Sequence, residues 1–359
     1  MATLARFSLS FTSSSGNTTA DAIQIQELVK ACCFIAVGLM AVVGNIFVIF
    51  MVVVSRKLHT ITNIFVINLS IADLLIGLLF PLQSLWILHL EDALSLPAWA
   101  CTTIGALIII AIGCSVSTLA FIAFNRYILI ARSRIVYQRV FTPLNITLMV
   151  SSTWLNLTGF LIIPQAVGYG SLGYDTYLEL CAWDPAHEYD VIYKSGALAF
   201  LTIPLLLSSL CYWLLFRYVK NHLSNLAAHR QNAPPVASTR RIDIVITKNL
   251  LLVICTFYVC ILPFVIAYCA TGFVANPQQY GQMAAYLAIL LGLNSCLNPL
   301  FYCLKHPHFR EVFGFVIRCQ LSKVPLPSRI LKSVLTKPDR RGGLTDTTTW
   351  NARTETNIS

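Results

Sequence analysis

Seven long apolar runs, separated by shorter polar segments, set the pattern of this chain. They lie near residues 29–54, 63–88, 100–130, 146–168, 192–218, 244–270 and 282–303. Each run approaches or exceeds the ~20 residues that an α-helix needs to cross a bilayer. Leu, Ala and Gly are mixed with β-branched residues, which favours helices over the alternating strands of a membrane barrel. The pattern predicts an all-α membrane protein built as a seven-transmembrane helix bundle.

Charge is scarce and unevenly placed. Apolar residues make up 57% of the sequence and charged residues only 11%, whereas about 25% of residues are charged in a soluble domain. All but three of the 25 Lys and Arg residues (Arg6, Lys30 and Lys194) fall in alternate loops and in the C-terminal tail. The positive-inside rule makes that side cytoplasmic. We therefore expect a plasma-membrane protein with its N-terminus outside, and we assign the net charge of +10 to this asymmetry, not to a nucleic-acid surface.

The polar ends of the chain divide it into segments. We expect an extracellular segment over 1–28, a transmembrane domain over 29–303, a short amphipathic eighth helix over 304–319 and a disordered cytoplasmic tail over 320–359. Residues 1–21 lack the apolar region of a signal peptide, so the first helix is expected to direct its own insertion. Asn17 heads a glycosylation sequon on the outer side. Cys319 follows the amphipathic helix and is a candidate for palmitoylation, with an unmodified thiol as the alternative.

Asp73 is the only acidic residue deep in a predicted helix. An ionisable group at that depth is a functional hypothesis by default. Other polar side chains fall at matching depths: Asn45, Ser115, Asn294, Ser295 and Asn298. A carboxylate surrounded by hydroxyl and amide oxygens suits a hard monovalent cation such as sodium, with its waters, and the alternative is a polar network that only fixes helix register. We expect no other metal or cofactor and no enzymatic role, since no electrophile or paired acid accompanies Asp73.

Polar groups also mark the cytoplasmic ends of two helices. Asn125-Arg126-Tyr127 closes the third helix, where the arginine follows an apolar run and needs a partner. Asp243 begins the sixth helix near the same membrane face, so an Arg126–Asp243 pair would form a breakable latch. An arginine solvated beside lipid headgroups is the alternative. Asn298-Pro299-Leu300-Phe301-Tyr302 closes the seventh helix, where proline removes a backbone donor and loosens a turn.

These residues, in this order, resemble the rhodopsin-like G-protein-coupled receptors over roughly residues 29–319. The shared motifs are Gly44-Asn45, Leu69-Ser-Ile-Ala-Asp73, Cys101, Ser115, Asn125-Arg126-Tyr127, Trp154, Cys181, Pro204, Tyr212, Phe257-x-x-Cys260-x-x-Pro263 and Asn298-Pro299-x-x-Tyr302. The resemblance implies a Cys101–Cys181 disulfide, an outward swing of the sixth helix, and nucleotide exchange on a heterotrimeric G protein. Arrestin and receptor kinases, acting on Ser and Thr residues of the tail, are further expected partners. The implied switch residues are Asn125, Arg126, Tyr127, Tyr212, Asp243, Phe257, Pro263, Pro299 and Tyr302.

Two positions depart from the family pattern. Asn125 replaces the usual acidic residue before the arginine, which removes a proton-sensitive neighbour that restrains Arg126. Ile261 replaces the tryptophan that usually follows the sixth-helix cysteine. That tryptophan typically couples the ligand to helix motion, so Phe257 or Phe264 is expected to take over part of the packing change.

The sequence also narrows the range of expected ligand classes. Asn63-Ile-Phe-Val, Asn125-Arg-Tyr and Gly170–Asp175 are similar to the melatonin-receptor and invertebrate orphan group, although that group usually keeps the missing tryptophan. Amine receptors of the family place an aspartate where this chain has Ile108, and opsins place the retinal lysine where it has Gly292. A biogenic amine and retinal are therefore not the expected ligands.

The expected pocket is apolar and aromatic. Its predicted lining is Ile108, Ile109, Ile112, Trp183, Phe200, Ile261, Phe264, Val265 and Tyr268. Such a lining suits a neutral, apolar, indole-like or lipid-like ligand. A peptide-binding receptor of the same fold and a receptor-like scaffold with constitutive or no G-protein signalling are the alternatives. A transporter or channel would need a charged pathway or internal repeats, and neither is visible in the sequence.

Overall fold

Helices make up nearly all of the structure, a computed structural model that describes residues 18–228, 255–271 and 277–335. In chain order they are α1 (Thr18–Val54), α2 (Ile61–Ile87), α3 (Ala98–Ala131), α4 (Arg134–Val140), α5 (Pro143–Ala166), α6 (Asp190–Ala228), α7 (Cys255–Ala270), α8 (Pro277–Lys305), α9 (Pro307–Ile317) and α10 (Arg329–Leu335). Six of them are long and apolar enough to cross a membrane, and α7 is a shorter apolar helix. Residues 244–254, predicted to begin the sixth span, lie outside the described part. The predicted seven-helix bundle is confirmed, with its spans at α1, α2, α3, α5, α6, α7 and α8.

The α3 helix runs through the centre of the bundle. It contacts α2, α5 and α6, while α1 packs against α2 and α8. The backbones of α1 and α2 lie close together because small residues face each other. A Cβ atom added at Gly77 would lie 2.9 Å from the carbonyl oxygen of Gly38, and small residues permit such close approach between membrane helices. The interior side chains of α2 and α8 can therefore meet those of α3.

Several helix ends follow from local sequence. Thr60 and Thr142 cap α2 and α5, since their hydroxyl oxygens accept the backbone N–H groups of Asn63 and Asn145, each at 3.3 Å. Pro143 occupies the start of α5, where an N–H group would have no helical partner in any case. These signals begin α2 and α5 directly after the loops that separate the apolar runs.

The outer surface of the bundle is apolar, as a protein immersed in lipid requires. Leu39 and Val43 on α1, Ile163 on α5 and Leu206 on α6 are all more than half exposed. A soluble protein rarely leaves apolar patches of this extent uncovered. These side chains therefore face the hydrocarbon of the bilayer.

Three features differ from the predicted organisation. The α1 helix begins at Thr18, so the segment expected over 1–28 is partly helical. The loop after α5 folds into an antiparallel hairpin of β1 (Leu172–Asp175) and β2 (Leu180–Trp183), which no helical pattern predicts. The tail expected to be disordered from residue 320 contains a short 3-10 turn (Leu321–Lys323) and α10, so that prediction is wrong for 320–335. Contacts with the loop between α1 and α2, distant in sequence, hold this part of the tail.

Candidate functional site

A cavity of about 380 Å³ opens between the helices below the β1–β2 hairpin. Its walls come mainly from α3, α6, α7 and β2. It contains most of the predicted lining residues: Ile108, Ile109, Ile112, Trp183, Ile261, Phe264, Val265 and Tyr268. The rings of Phe264 and Tyr268 stack with their centroids 5.6 Å apart. The size and the apolar wall are those of a small-molecule site.

Phe200 does not line this cavity, and that prediction is wrong. The α6 residues at the cavity wall include Ala197, Leu198 and Leu201. The ring of Phe200 instead lies 4.8 Å from the ring of Phe160 on the outer side of the bundle, and its side chain is 36% exposed. Successive residues of a helix are turned by about 100°. The sequence did not fix the rotation of α6 about its axis.

The β1–β2 hairpin covers the mouth of the cavity and is tied to three helices. The predicted disulfide between Cys101, in α3, and Cys181, in β2, is present. The Gln83 side chain of α2 donates to the carbonyl oxygen of Cys181 and accepts its N–H, both at 2.8 Å. Lys30 of α1 donates to Glu179 at 2.6 Å. Gln83 and Lys30 are anchors that sequence reasoning missed, since nothing in the chain near them indicates their partners.

A charged group lies at the rim of the cavity, between the hairpin and α6. Lys194 Nζ is 2.7 Å from Asp190 Oδ2 and 3.9 Å from Asp175 Oδ2. The Tyr268 hydroxyl donates to Asp175 at 3.2 Å, and two backbone N–H groups also donate to that carboxylate. Burial raises the pKa of Asp175, while the charge of Lys194 opposes the shift. The Asp175 carboxylate is therefore well supplied with donors.

Only one of the two carboxylate oxygens of Asp190 has a donor among the described residues. Asp190 lines the cavity and is 9% exposed. Within the described residues its Oδ1 atom is buried without a hydrogen-bond partner. Leaving a buried acceptor in this state costs about 1–3 kcal/mol. The four-residue spacing of Asp190 and Lys194, which puts both on one helix face, was the sequence signal that could have identified this pair.

Deeper in the bundle, α3 and α8 converge on the fully buried Asp73 of α2. The hydroxyl groups of Ser115 on α3 and Ser295 on α8 donate to its Oδ1 atom at 3.1 and 2.9 Å. The Asn298 side chain donates to Oδ2 at 2.8 Å. The structure thus brings together the acid and three of the residues that matching depth suggested.

The other two members of the set surround this core without touching the carboxylate. Asn45 donates to the backbone oxygens of Ala41 and Ser295, at 2.9 and 3.0 Å. The side-chain oxygens of Asn45, Asn294 and Asn298 are buried with no hydrogen-bond partner in the described part of the chain. A carboxylate with hydroxyl and amide oxygens nearby is a hard donor set. The residues present therefore fit a sodium ion with its waters.

Arg126 lies buried near the C-terminal end of α3, with 6% of its surface exposed. Its positive charge lies near Tyr212 of α6 and near His306, which links α8 to α9. Burial, followed by the charge of Arg126, lowers the pKa of His306 to about 3, so this imidazole is neutral at physiological pH. The hydroxyl groups of Tyr212 and Tyr302 are buried without hydrogen-bond partners in the described ranges. Asp243, predicted as the latch partner, lies outside them.

Asn125 makes its hydrogen bonds to neighbouring elements. Its side-chain oxygen accepts the Thr62 hydroxyl at 2.6 Å, and its side-chain nitrogen donates to Tyr137 at 3.1 Å. These contacts tie α3 to α2 and α4. Next in sequence, the Tyr127 hydroxyl accepts a hydrogen bond from Arg132 at 3.1 Å. Asn125, in place of the family's acidic residue, therefore links α3 to two other helices through uncharged hydrogen bonds.

The remaining predicted residues fall at separate places. Phe257 is buried in the same core as Tyr212, and Pro263 lies six residues further along α7. Pro299 packs against α1, where a Cβ atom added at Gly44 would lie 3.0 Å from its ring. Cys319 is exposed just after α9. Asn17 precedes the first described residue.

The chain is similar to known receptors in sequence and in fold. A family model described as 7 transmembrane receptor (rhodopsin family) matches residues 44–302. The adenosine receptor A3 of Ovis aries is 28% identical over 305 residues, which cover 82% of this chain and 92% of that receptor. The 5-hydroxytryptamine receptor 4 of Homo sapiens is 26% identical over 334 residues, covering 86% and 84% of the two chains. The crystal structure of squid rhodopsin superposes with a TM-score of 0.68 and 21% identity, over 88% of this chain and 93% of that chain.

Proposed function

This chain belongs to the rhodopsin family of seven-transmembrane, G-protein-coupled receptors, and we propose that its ligand binds in the cavity below the β1–β2 hairpin. One observation carries the proposal. Ile261 lines the cavity and also belongs to the hydrophobic core that contains Phe257 and Tyr212, nearer the cytoplasm. Because packed cores transmit displacements, a ligand that moves Ile261 would shift α7.

The sequence of α7 supports such a movement. Pro263 follows Ile261 by two residues and removes a backbone donor, so α7 can bend at this point. A bend here would move the cytoplasmic end of α7 relative to Tyr212 and Arg126. We propose that this movement exposes Arg126 to a heterotrimeric G protein, and that nucleotide exchange follows.

The cavity supports a ligand with an apolar body and one neutral hydrogen-bond donor. Most of the wall is aliphatic or aromatic, which accounts for the apolar body. Among the described residues Asp190 Oδ1 has no donor, while Asp190 Oδ2 already pairs with the cation of Lys194. A neutral N–H or O–H group would therefore fit the rim better than a second cation. An indole ring combines both features in one molecule.

Replacing the rim carboxylate with a neutral amide is expected to weaken binding of such a ligand, because Lys194 holds the remaining oxygen and the NH2 group then stands where Oδ1 was. A hydrogen bond to a charged group contributes about 1.5–3 kcal/mol, so Asp190→Asn should weaken binding of indole by roughly tenfold or more. The measurement is the thermal shift of the purified receptor titrated with indole, compared with 1-methylindole, which has no donor. Glu188→Gln removes an exposed carboxylate from the same loop region and is the matched control.

Two outcomes would contradict this ligand class. One is binding of 1-methylindole as tightly as indole to the wild-type receptor. The other is a second-messenger screen of indoles, fatty acids, sterols and peptides whose active compounds are unaffected by Asp190→Asn.

We further propose that the Asp73 network binds sodium and that sodium favours the inactive receptor. Asp73, Ser115 and Ser295 would hold the ion, and it would supply a positive charge that offsets the buried carboxylate. Support comes from the three amide oxygens around Asp73 that have no hydrogen-bond partner among the described residues. A ligand shifts a population only through its preference for one state, so the effect requires weaker sodium binding by the active state.

Sodium is expected to stabilise the wild-type receptor but not Asp73→Asn. At a sodium concentration ten times the dissociation constant, binding contributes about 1.4 kcal/mol, which corresponds to a melting temperature higher by a few degrees. The comparison uses NaCl against N-methylglucamine chloride at equal ionic strength. Asp92→Asn, in an exposed loop, should keep the wild-type response. An equal response in Asp73→Asn would rule out this site.

A further inference from the structure

The chain after α9 folds back onto the loop between α1 and α2. Ser55 forms an antiparallel bridge with Pro327, and its hydroxyl donates to the carbonyl oxygen of Pro325 at 2.7 Å. The N–H group of Ser328 donates to the carbonyl oxygen of Val54 at 2.9 Å. These contacts attach the tail to the cytoplasmic end of α1.

One side of this tail is buried in the protein. Val324 and Leu331 are 3% and 4% exposed and belong to the same hydrophobic core as Val54. Ser328 caps α10, since its side-chain oxygen accepts the N–H group of Leu331 at 3.1 Å. The orientation of α10 about its own axis is therefore fixed by the protein.

The side next to it is apolar, and no described part of the chain covers it. Ile330 and Val334 are both 62% exposed, and Leu326 is 64% exposed. Ile330 and Val334 are four residues apart, so they share one face of α10. Ile317, at the end of α9, is 59% exposed. Burial of Leu331 accounts for one face of the helix, but it gives no reason for this second apolar face.

Charge and position indicate what covers this face. The exposed basic residues of the segment are Arg318, Lys323, Arg329 and Lys332. No acidic residue lies between Glu311 and Asp339. The tail is bound to Val54, the last residue of a membrane-crossing helix, and therefore lies near the lipid headgroups. The cytoplasmic leaflet combines anionic headgroups with hydrocarbon just beneath them, which matches basic residues beside an apolar face.

We propose that residues 317–335, which we name the tail clasp, form a second membrane anchor beside α9. Leu326, Ile330 and Val334 enter the cytoplasmic leaflet, and the basic side chains bind anionic lipid headgroups. Leu331 and the bridge at Ser55 hold the clasp to the receptor. Cys319 lies within the clasp, and its thiol is exposed. This inference does not depend on the ligand or on the G protein.

Hydrogen exchange on the full-length receptor tests the proposal. The receptor is placed in nanodiscs of phosphatidylcholine alone or with phosphatidylserine, and amide exchange is followed over 329–335. Since each basic side chain near an anionic surface favours binding by about 1 kcal/mol, phosphatidylserine should slow exchange by about tenfold or more. Ile330→Glu/Val334→Glu should lose this slowing. Both positions are exposed, and unchanged protection of the Ser328 amide would show that the bridge to α1 is intact.

Ser322→Glu/Ser333→Glu is the matched control, because it adds the same charge at two exposed positions that are not apolar. It should retain part of the slowing. Equal loss in both double variants would overturn the insertion of apolar side chains. Equal exchange of the wild-type receptor in the two lipid compositions would overturn the anionic membrane anchor. Protection that requires an added soluble protein would assign the surface to that partner instead.

Discussion

Replacing Cys101 or Cys181 with alanine is expected to remove most of the receptor from the cell surface. The disulfide closes a sequence separation of 80 residues, for which the chain-entropy model gives about 4.5 kcal/mol. The helices persist in the unfolded reference state within a bilayer, so the typical range of about 2–5 kcal/mol is the better guide. Loss of the bridge also removes one of the three ties that hold the hairpin over the cavity. Surface and total receptor would be compared by antibody binding to an N-terminal tag.

Two controls separate the bridge from the chemistry of a lone thiol. Cys32→Ala removes an exposed free cysteine from α1 and should leave surface expression unchanged. Cys101→Ala/Cys181→Ala should be as poorly expressed as either single variant. Normal surface expression of the double variant would show that the unpaired thiol, and not the missing bridge, caused the loss.

Arg126→Ala is expected to abolish activation of the G protein while the receptor still reaches the surface. Arg126 is a buried cation near the C-terminal end of α3, beside Tyr212 and His306. Alanine removes the group that we propose contacts the G protein after α7 moves. The expected result is loss of both basal and ligand-driven signalling in a cellular G-protein dissociation assay at matched surface expression.

Arg132→Ala is the matched control, since it removes the same charge from the exposed end of the same helix. It should lose only a contact with Tyr127, and a surface interaction of this kind contributes about 1 kcal/mol or less. Signalling by Arg126→Ala at the level of Arg132→Ala would contradict the assigned role of the buried arginine.

The helical spans and the Asp73 network could be predicted from sequence because a bilayer leaves few alternatives. An apolar run of spanning length must be a helix, and a carboxylate in its middle must find polar partners. Ser115, Ser295 and Asn298 fall at the depth of Asp73, and all three donate to it. The depth of a residue in the membrane can be found by counting residues along its helix. Contacts between residues at equal depth can therefore be predicted from sequence position.

Helix rotation and loop contacts could not be obtained in this way. Phe200 is predicted to line the pocket, but the rotation of α6 turns it toward Phe160 and the outer surface of the bundle. The hydrogen bonds between Gln83 and the backbone of Cys181 join residues that are 98 positions apart. The bridge between Ser55 and Pro327 spans a still longer separation and has no periodic signal in the tail. These features depend on tertiary packing, which local patterns do not encode.

Nucleotide exchange by the purified receptor tests the central claim most directly. The full-length receptor in nanodiscs would be mixed with heterotrimeric G proteins of each α-subunit class, and binding of a non-hydrolysable GTP analogue would be followed with and without indole or the active compounds of the screen. The account predicts ligand-dependent exchange above that of receptor-free nanodiscs with at least one class, and its absence in Arg126→Ala. Exchange equal to that of receptor-free nanodiscs for every class, from a receptor shown to be folded and ligand-bound, would contradict it.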